Sequence, residues 1–118
     1  MHVTKLSDAP FYYPPAHDDM RCLRLQGHEA GPNSTLWLGL SHLLPGGKTS
    51  LAASDLEKPY LVLDGEVTVV TNDEEVILRP WDSCRIAPGE ARALCNDSNR
   101  PASILLAMPL GAKSPEKG

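Results

Sequence analysis

The sequence is poor in aromatic side chains, which make up 5% of its 118 residues. With one Phe, three Tyr and two Trp, a core has to be built mainly from Leu, Val and Ile. Cysteine is scarce as well, and Cys22, Cys84 and Cys95 show no CxxC spacing. An odd, sparse set argues against a disulfide framework and for reduced thiols in a cytoplasmic protein. No run approaches the roughly 18 consecutive apolar residues of a membrane span. Met1 to Pro10 carries charges and no apolar core, so it does not read as a secretory signal. Lys and Arg are not clustered and the formal net charge is −4. That excludes the basic footprint that phosphate binding needs, so no nucleic-acid partner is expected. No window of a dozen residues keeps a helical period. The nearest is Thr49 to Lys58, a turn or two before Pro59 stops it.

What is plentiful is turn chemistry. Eleven prolines and nine glycines are spread along the chain, with apolar runs between them. The length fits one domain, 1–118, with an N-terminal arm over 1–20 and a frayed polar tail over 111–118. The arm contains Pro10-Phe11-Tyr12-Tyr13-Pro14-Pro15. It cannot be helical and is too apolar to hang free, so it is expected to lie over a sheet or over a neighbouring subunit.

Short β-type runs follow. Arg21 to Leu25 is one, and Thr35 to Leu44 is a longer one with Leu36, Leu38, Leu40 and Leu44 on one face. Tyr60 to Leu63 ends at Asp64-Gly65, a hairpin signal because that pair tolerates positive φ. Glu66 to Thr71, Glu75 to Arg79, Asp82 to Ala87, Ala91 to Asn96 and Ala102 to Met108 complete the series. So many short strands at this spacing predict an all-β sandwich or closed barrel.

Two stretches resemble the paired motifs of the cupin family. In the first, Gly46 is followed by five residues, Ala52-Ala53-Ser54, three residues, Lys58, six residues and Gly65. In the second, Trp81 is followed by five residues, Ala87-Pro88-Gly89, two residues, Arg92, three residues and Asn96. The spacing is similar to the family's throughout, and Gly46, Gly65, Gly89 and Asn96 keep the family's residue. The resemblance implies a single antiparallel jelly-roll β-barrel. It also implies that the positions usually held by three His and one Glu, the metal ligands, are here Ala52, Ser54, Lys58 and Arg92. Ala has no donor atom, Ser is a weak ligand, Arg stays protonated, and Lys coordinates only after losing its proton. No metal and no other cofactor is therefore expected. A one-residue bulge would turn Glu57 inward in place of Lys58.

If the family positions point into the barrel, Lys58 and Arg92 place two cations there. A small organic anion, a carboxylate above all, would suit Arg's planar fork. Tyr60 shares a strand face with Lys58, and His42 continues the period of Leu36, Leu38 and Leu40. Lys58, Tyr60 and His42 are the candidate proton-transfer groups. Arg92, Asn96, Ser54 and Trp37 are the candidate substrate contacts. Three function classes fit: a metal-independent isomerase, tautomerase, lyase or decarboxylase acting on a small acid; a module that binds or senses a small molecule without chemistry; and a structural barrel with a decayed site. The resemblance also implies a homodimer, formed through sheet faces or a swapped N-terminal arm.

Overall fold

In the computed structural model, residues 1–111 are described. Of the expected tail over 111–118, residues 112–118 lie outside them. The strands are β1 (Phe11–Tyr12), β2 (His17–Gln26), β3 (Leu36–Thr49), β4 (Lys58–Asp64), β5 (Val67–Thr71), β6 (Glu75–Leu78), β7 (Ser83–Ile86), β8 (Arg92–Cys95) and β9 (Ala102–Pro109). All pair antiparallel, in the order β6-β5-β8-β3-β9-β4-β7, with β2 on β3 and β1 on β2. This is the all-β, nearly closed barrel expected of the sequence.

Strand β3 holds the barrel together. Leu36–Leu43 pairs with β9, while Lys48 beyond the bend pairs with Cys95 of β8. Pro45-Gly46-Gly47 makes that bend, with Gly46 at φ 85°. The hairpin between β4 and β5 turns at Gly65, φ 75°. A Cβ there would lie 2.6 Å from the Pro101 carbonyl oxygen, so any side chain would collide with backbone.

The core is aliphatic around a single indole. Leu43, Val62, Val67, Ile104 and Met108 are buried with Trp37, each aliphatic side chain contributing about 1.5–3 kcal/mol of hydrophobic stabilisation. Gly39 leaves room for that indole, since a Cβ there would meet the Trp37 ring at 2.5 Å.

The parity of β3 differs from the sequence expectation. Trp37, Gly39 and Leu43 face the core, in step with Met108, Leu106 and Ala102 on β9. Leu36, Leu38, Leu40 and His42 therefore face outward. Leu40 is nonetheless buried, because it lies in a row Leu23, Leu40, Leu105, Leu61 running across four strands on the outer surface. A sheet apolar on both faces gives an alternation that reads equally well in either phase.

Thr49 to Lys58 forms no helix. Past Thr49 the segment is irregular, fixed by a bridge in which Ala52 and Arg92 exchange backbone hydrogen bonds of 3.0 Å, by Ser50 N–H donating to the Ala16 carbonyl at 3.1 Å and by Gly89 N–H donating to the Ser54 carbonyl at 2.7 Å. The N-terminal arm lies on its own sheet: Tyr12 pairs with Cys22 and is buried, and strand β2 has already begun at His17.

Candidate functional site in the barrel interior

Lys58, Tyr60 and Val62 alternate inward along β4 and are all buried. Arg92 opens β8 across the interior and is 3% exposed. Its Nε–H donates to the Tyr60 hydroxyl at 2.9 Å, and its Nη1 donates to Thr49 Oγ1 at 3.3 Å. Thr49 is set for this by its place at the end of β3. Its hydroxyl oxygen also accepts the Leu94 backbone N–H at 3.0 Å, and its own O–H donates to the Ser50 carbonyl at 3.1 Å. The result is a buried relay from β3 through β8 to β4, with a phenol at its end.

Burial raises the Tyr60 phenol above its ordinary pKa, and the Arg92 guanidinium opposes that only in part. At neutral pH Tyr60 is therefore a protonated phenol. Its oxygen already accepts from Arg92, so its own O–H is the part it can offer to a ligand.

The register question at Glu57 is settled by the geometry. Glu57 is exposed and its carboxylate pairs with Arg85 on the outside of β7, while Lys58 is buried. Ser54 is buried but its hydroxyl serves its own loop, accepting from Leu56 N at 3.3 Å.

Two expected site residues do not join Tyr60 and Arg92. His42 lies on the outer face, with Nδ1 2.8 Å from Ser103 Oγ, because β3 runs in the opposite phase to the one its leucines suggested. Asn96 is fully buried but occupied. Its Nδ2 donates to the carbonyls of Leu43 at 3.0 Å and Arg100 at 2.7 Å, and its Oδ1 accepts from Ser98 N and Oγ. It ties a loop, which leaves nothing for a substrate.

Trp37 is interior, edge-on to Tyr12 with ring centroids 5.6 Å apart. Between them sits a residue the sequence reading passed over. Arg24 is 1% exposed, its guanidinium 3.7 Å from the Tyr12 ring centroid and 4.3 Å from that of Trp37, and its Nε donates to Glu29 at 2.9 Å. Tyr12 and Thr49 were missed as well. The alternation Cys22, Arg24 along β2 was the available signal for Arg24.

Among the described residues no three His, Cys, Asp or Glu side chains stand where they could hold a metal ion. The interior donors are a guanidinium, an ammonium, a phenol and a hydroxyl. The family's ion does not fit this set, because two of its four positions are cationic and one has no donor atom.

Fold and site together define a small single-barrel protein with a cationic, phenol-bearing interior. Residues 39–108 match the Cupin domain family, and the chain belongs to that family. It is 42% identical over 106 residues to a protein of Mycobacterium tuberculosis named beta-D-galactosidase, with 90% of this chain and 91% of that one covered. Among solved structures it is similar to a polyketide cyclase from Streptomyces resistomycificus, with TM-score 0.83, 17% identity and 99% and 89% of the two chains covered. A sugar phosphate isomerase of the cupin superfamily from Silicibacter pomeroyi superposes with TM-score 0.77 at 24% identity, covering 91% and 74%. The structural likenesses show the fold.

Proposed function

We propose that the protein is a metal-independent small-molecule enzyme that hydrolyses a β-galactoside in the barrel interior, with Tyr60 as the proton donor. The observation that carries this reading is the buried Arg92–Tyr60 hydrogen bond of 2.9 Å, in a chain 42% identical to a protein named for that activity. Ordinary glycosidases use two carboxylates. Here the described acidic residues are exposed apart from Glu66 and Glu90, which are half-buried, so the phenol takes the acid's part. As the glycosidic C–O bond breaks, Tyr60 gives its proton to the leaving oxygen, and Arg92 stabilises the phenolate that forms. Water adds to the anomeric carbon, and its proton returns to Tyr60. Lys58, two residues away on the same strand face, favours oxygens of the substrate that carry partial or full negative charge.

The burial of Lys58 and Arg92 in one barrel also supports a second reading, isomerisation or elimination on a small carboxylate by the same residues. The outward-facing, half-buried Leu61 and Leu105 support a homodimer, and the free thiols of Cys22, Cys84 and Cys95 support a cytoplasmic setting.

The test is hydrolysis of a chromogenic β-D-galactoside by the purified chain and by Tyr60→Phe. The variant should keep its fold and lose about 10²–10⁴-fold in rate. An inactive parent, or a variant as fast as the parent, sinks the reading. If the parent instead exchanges carbon-bound hydrogen of small acids with solvent, the second reading takes its place.

A further inference from the structure

Arg24 is the most deeply buried charged side chain among the described residues, at 1% exposed, and packing alone does not ask for it. It sits in the corner between two rings that stand nearly perpendicular, at 86°. Its guanidinium carbon is 3.7 Å from the Tyr12 ring centroid and 4.3 Å from that of Trp37. An apolar side chain of that length would fill the corner without the cost of taking a cation out of water. The charge has a partner, since Nε donates to Glu29 at 2.9 Å, but that carboxylate is 52% exposed. What is left over is Nη1. It is closed to solvent, and among the described residues nothing accepts its N–H groups. Buried donors are nearly always answered, so the acceptor comes from outside the chain.

Strand pairing puts this donor in the same interior as Tyr60. Arg24 pairs with Gly39, Gly39 with Leu106 and Leu106 with Tyr60, so the four stand on one row across β2, β3, β9 and β4. Arg24, Leu106 and Tyr60 are all buried. The row is three strand spacings long, about 14 Å at the backbone. Gly39 carries no side chain, and a Cβ there would stand 2.5 Å from the Trp37 ring. Between the guanidinium and the phenol the row is therefore apolar, an indole and Leu106.

The chemistry of the acceptor follows from the charge. Arg24 is already matched by Glu29, so a second carboxylate beside it would bring an unbalanced charge. An uncharged oxygen, the hydroxyl of a sugar or other polyol, answers the N–H and brings none. We infer that Arg24 is a specificity-determining residue of the barrel, whose Nη1 holds a sugar hydroxyl while Tyr60, on the same row, serves the glycosidic oxygen. This rests on the proposed galactoside hydrolysis. The element beside Arg24 is short: the turn His28–Ala30 carries Glu29 and is bounded by Gly27 and Gly31, both at positive φ. Its displacement opens the way to Nη1.

Calorimetry with methyl β-D-galactoside and each of its monodeoxy analogues tests this, in Tyr60→Phe so that nothing turns over. One analogue should bind about tenfold more weakly than the full sugar, the worth of a hydrogen bond to a charged group. When Arg24→Gln is added, the full sugar should lose that same factor and that analogue nothing. With Tyr60 intact, Arg24→Gln should raise KM for a chromogenic galactoside and leave kcat little changed. Arg24→Lys keeps a charge for Glu29 without the planar fork and should bind like Arg24→Gln, so it decides the matter if Arg24→Gln does not fold. Analogues that keep the same affinity differences whichever residue stands at position 24 would mean that Nη1 answers a water, and overturn the inference while hydrolysis stands. The expected coupling in a parent that turns nothing over would keep Arg24 as the sugar contact and remove the hydrolysis. A chain that binds no galactoside overturns both.

Discussion

Arg92 and Asn96 stand at the two ends of one short stretch of chain, on the same alternation and both buried, yet their hydrogen bonds go to different kinds of partner. Arg92 donates to two side chains, Tyr60 and Thr49. Asn96 is bound on both sides of its amide, to two backbone carbonyls and to Ser98. A buried polar group that answers backbone groups closes the fold, since it satisfies main-chain groups that the surrounding structure does not. One that answers a titratable side chain changes that side chain's chemistry instead. The two ends of this stretch are told apart by what their buried polar atoms touch, and the proposed chemistry belongs to the Arg92 end.

That contrast can be broken by substitution. The largest effect is expected at Arg92. Arg92→Gln should cost about 10³-fold in the rate of galactoside hydrolysis, equivalent to about 4 kcal/mol of barrier, with a thermal midpoint close to the parent's. A variant that unfolds while the surviving fraction keeps its rate would make Arg92 a structural residue like Asn96. Next in size is Asn96→Ala. It takes the Nδ2 donor from the Leu43 and Arg100 carbonyls, the second of which still accepts from Ser98 Oγ at 3.0 Å, and should lower stability in urea by about 2 kcal/mol, with kcat unchanged in the folded protein. A stable Asn96→Ala with a raised KM would place Asn96 in the site after all.

The smallest effect is on pH dependence, and it sharpens the comparison. Burial raises the Tyr12 and Tyr60 phenols above 10 and the Cys22, Cys84 and Cys95 thiols above 9. The folded state therefore holds these protons more tightly than the unfolded chain. Their contribution is complete below pH 9 and is lost as pH rises through 9 and 10. Urea midpoints measured across that range should fall. Tyr60→Phe should flatten the decline, and Asn96→Ala should shift the whole curve without changing its slope. A parent whose stability is level to pH 10.5, roughly half a unit past the ordinary phenol value, would mean that the interior is wetter than its packing implies.

Most of the fold was legible because turns announce themselves. Asp64-Gly65 and Pro88-Gly89 bound strands that fall within a residue or two of expectation. The phase of β3 was not legible. Leu36, Leu38 and Leu40 form as good a stripe as Trp37, Gly39 and Leu43, and only pairing with β9 decides between them. His42 was misplaced for the same reason. At the site, motif spacing located Arg92, and alternation linked Tyr60 to Lys58. Thr49 was hidden because it follows a bend that spacing cannot describe. Tyr12 was hidden because its arm folds back onto β2, a contact with no local signature. Arg24 went unread because a lone arginine in a strand is usually solvated, whereas here two aromatic rings and Glu29 keep it inside.

Strand β3 pairs with β2, β8 and β9, and this bears on how the chain reaches its folded state. Its partner β9 lies some sixty residues downstream and is the last strand of the series. The central pairing must wait until Ala102–Pro109 has been synthesised, and then for closure of a long loop. Until Ala102–Pro109 docks, both apolar faces of β3 are open to any other strand edge. The nascent chain is thus most exposed to misassociation between the making of β3 and the docking of β9, and its folding rate should be set by that one late contact.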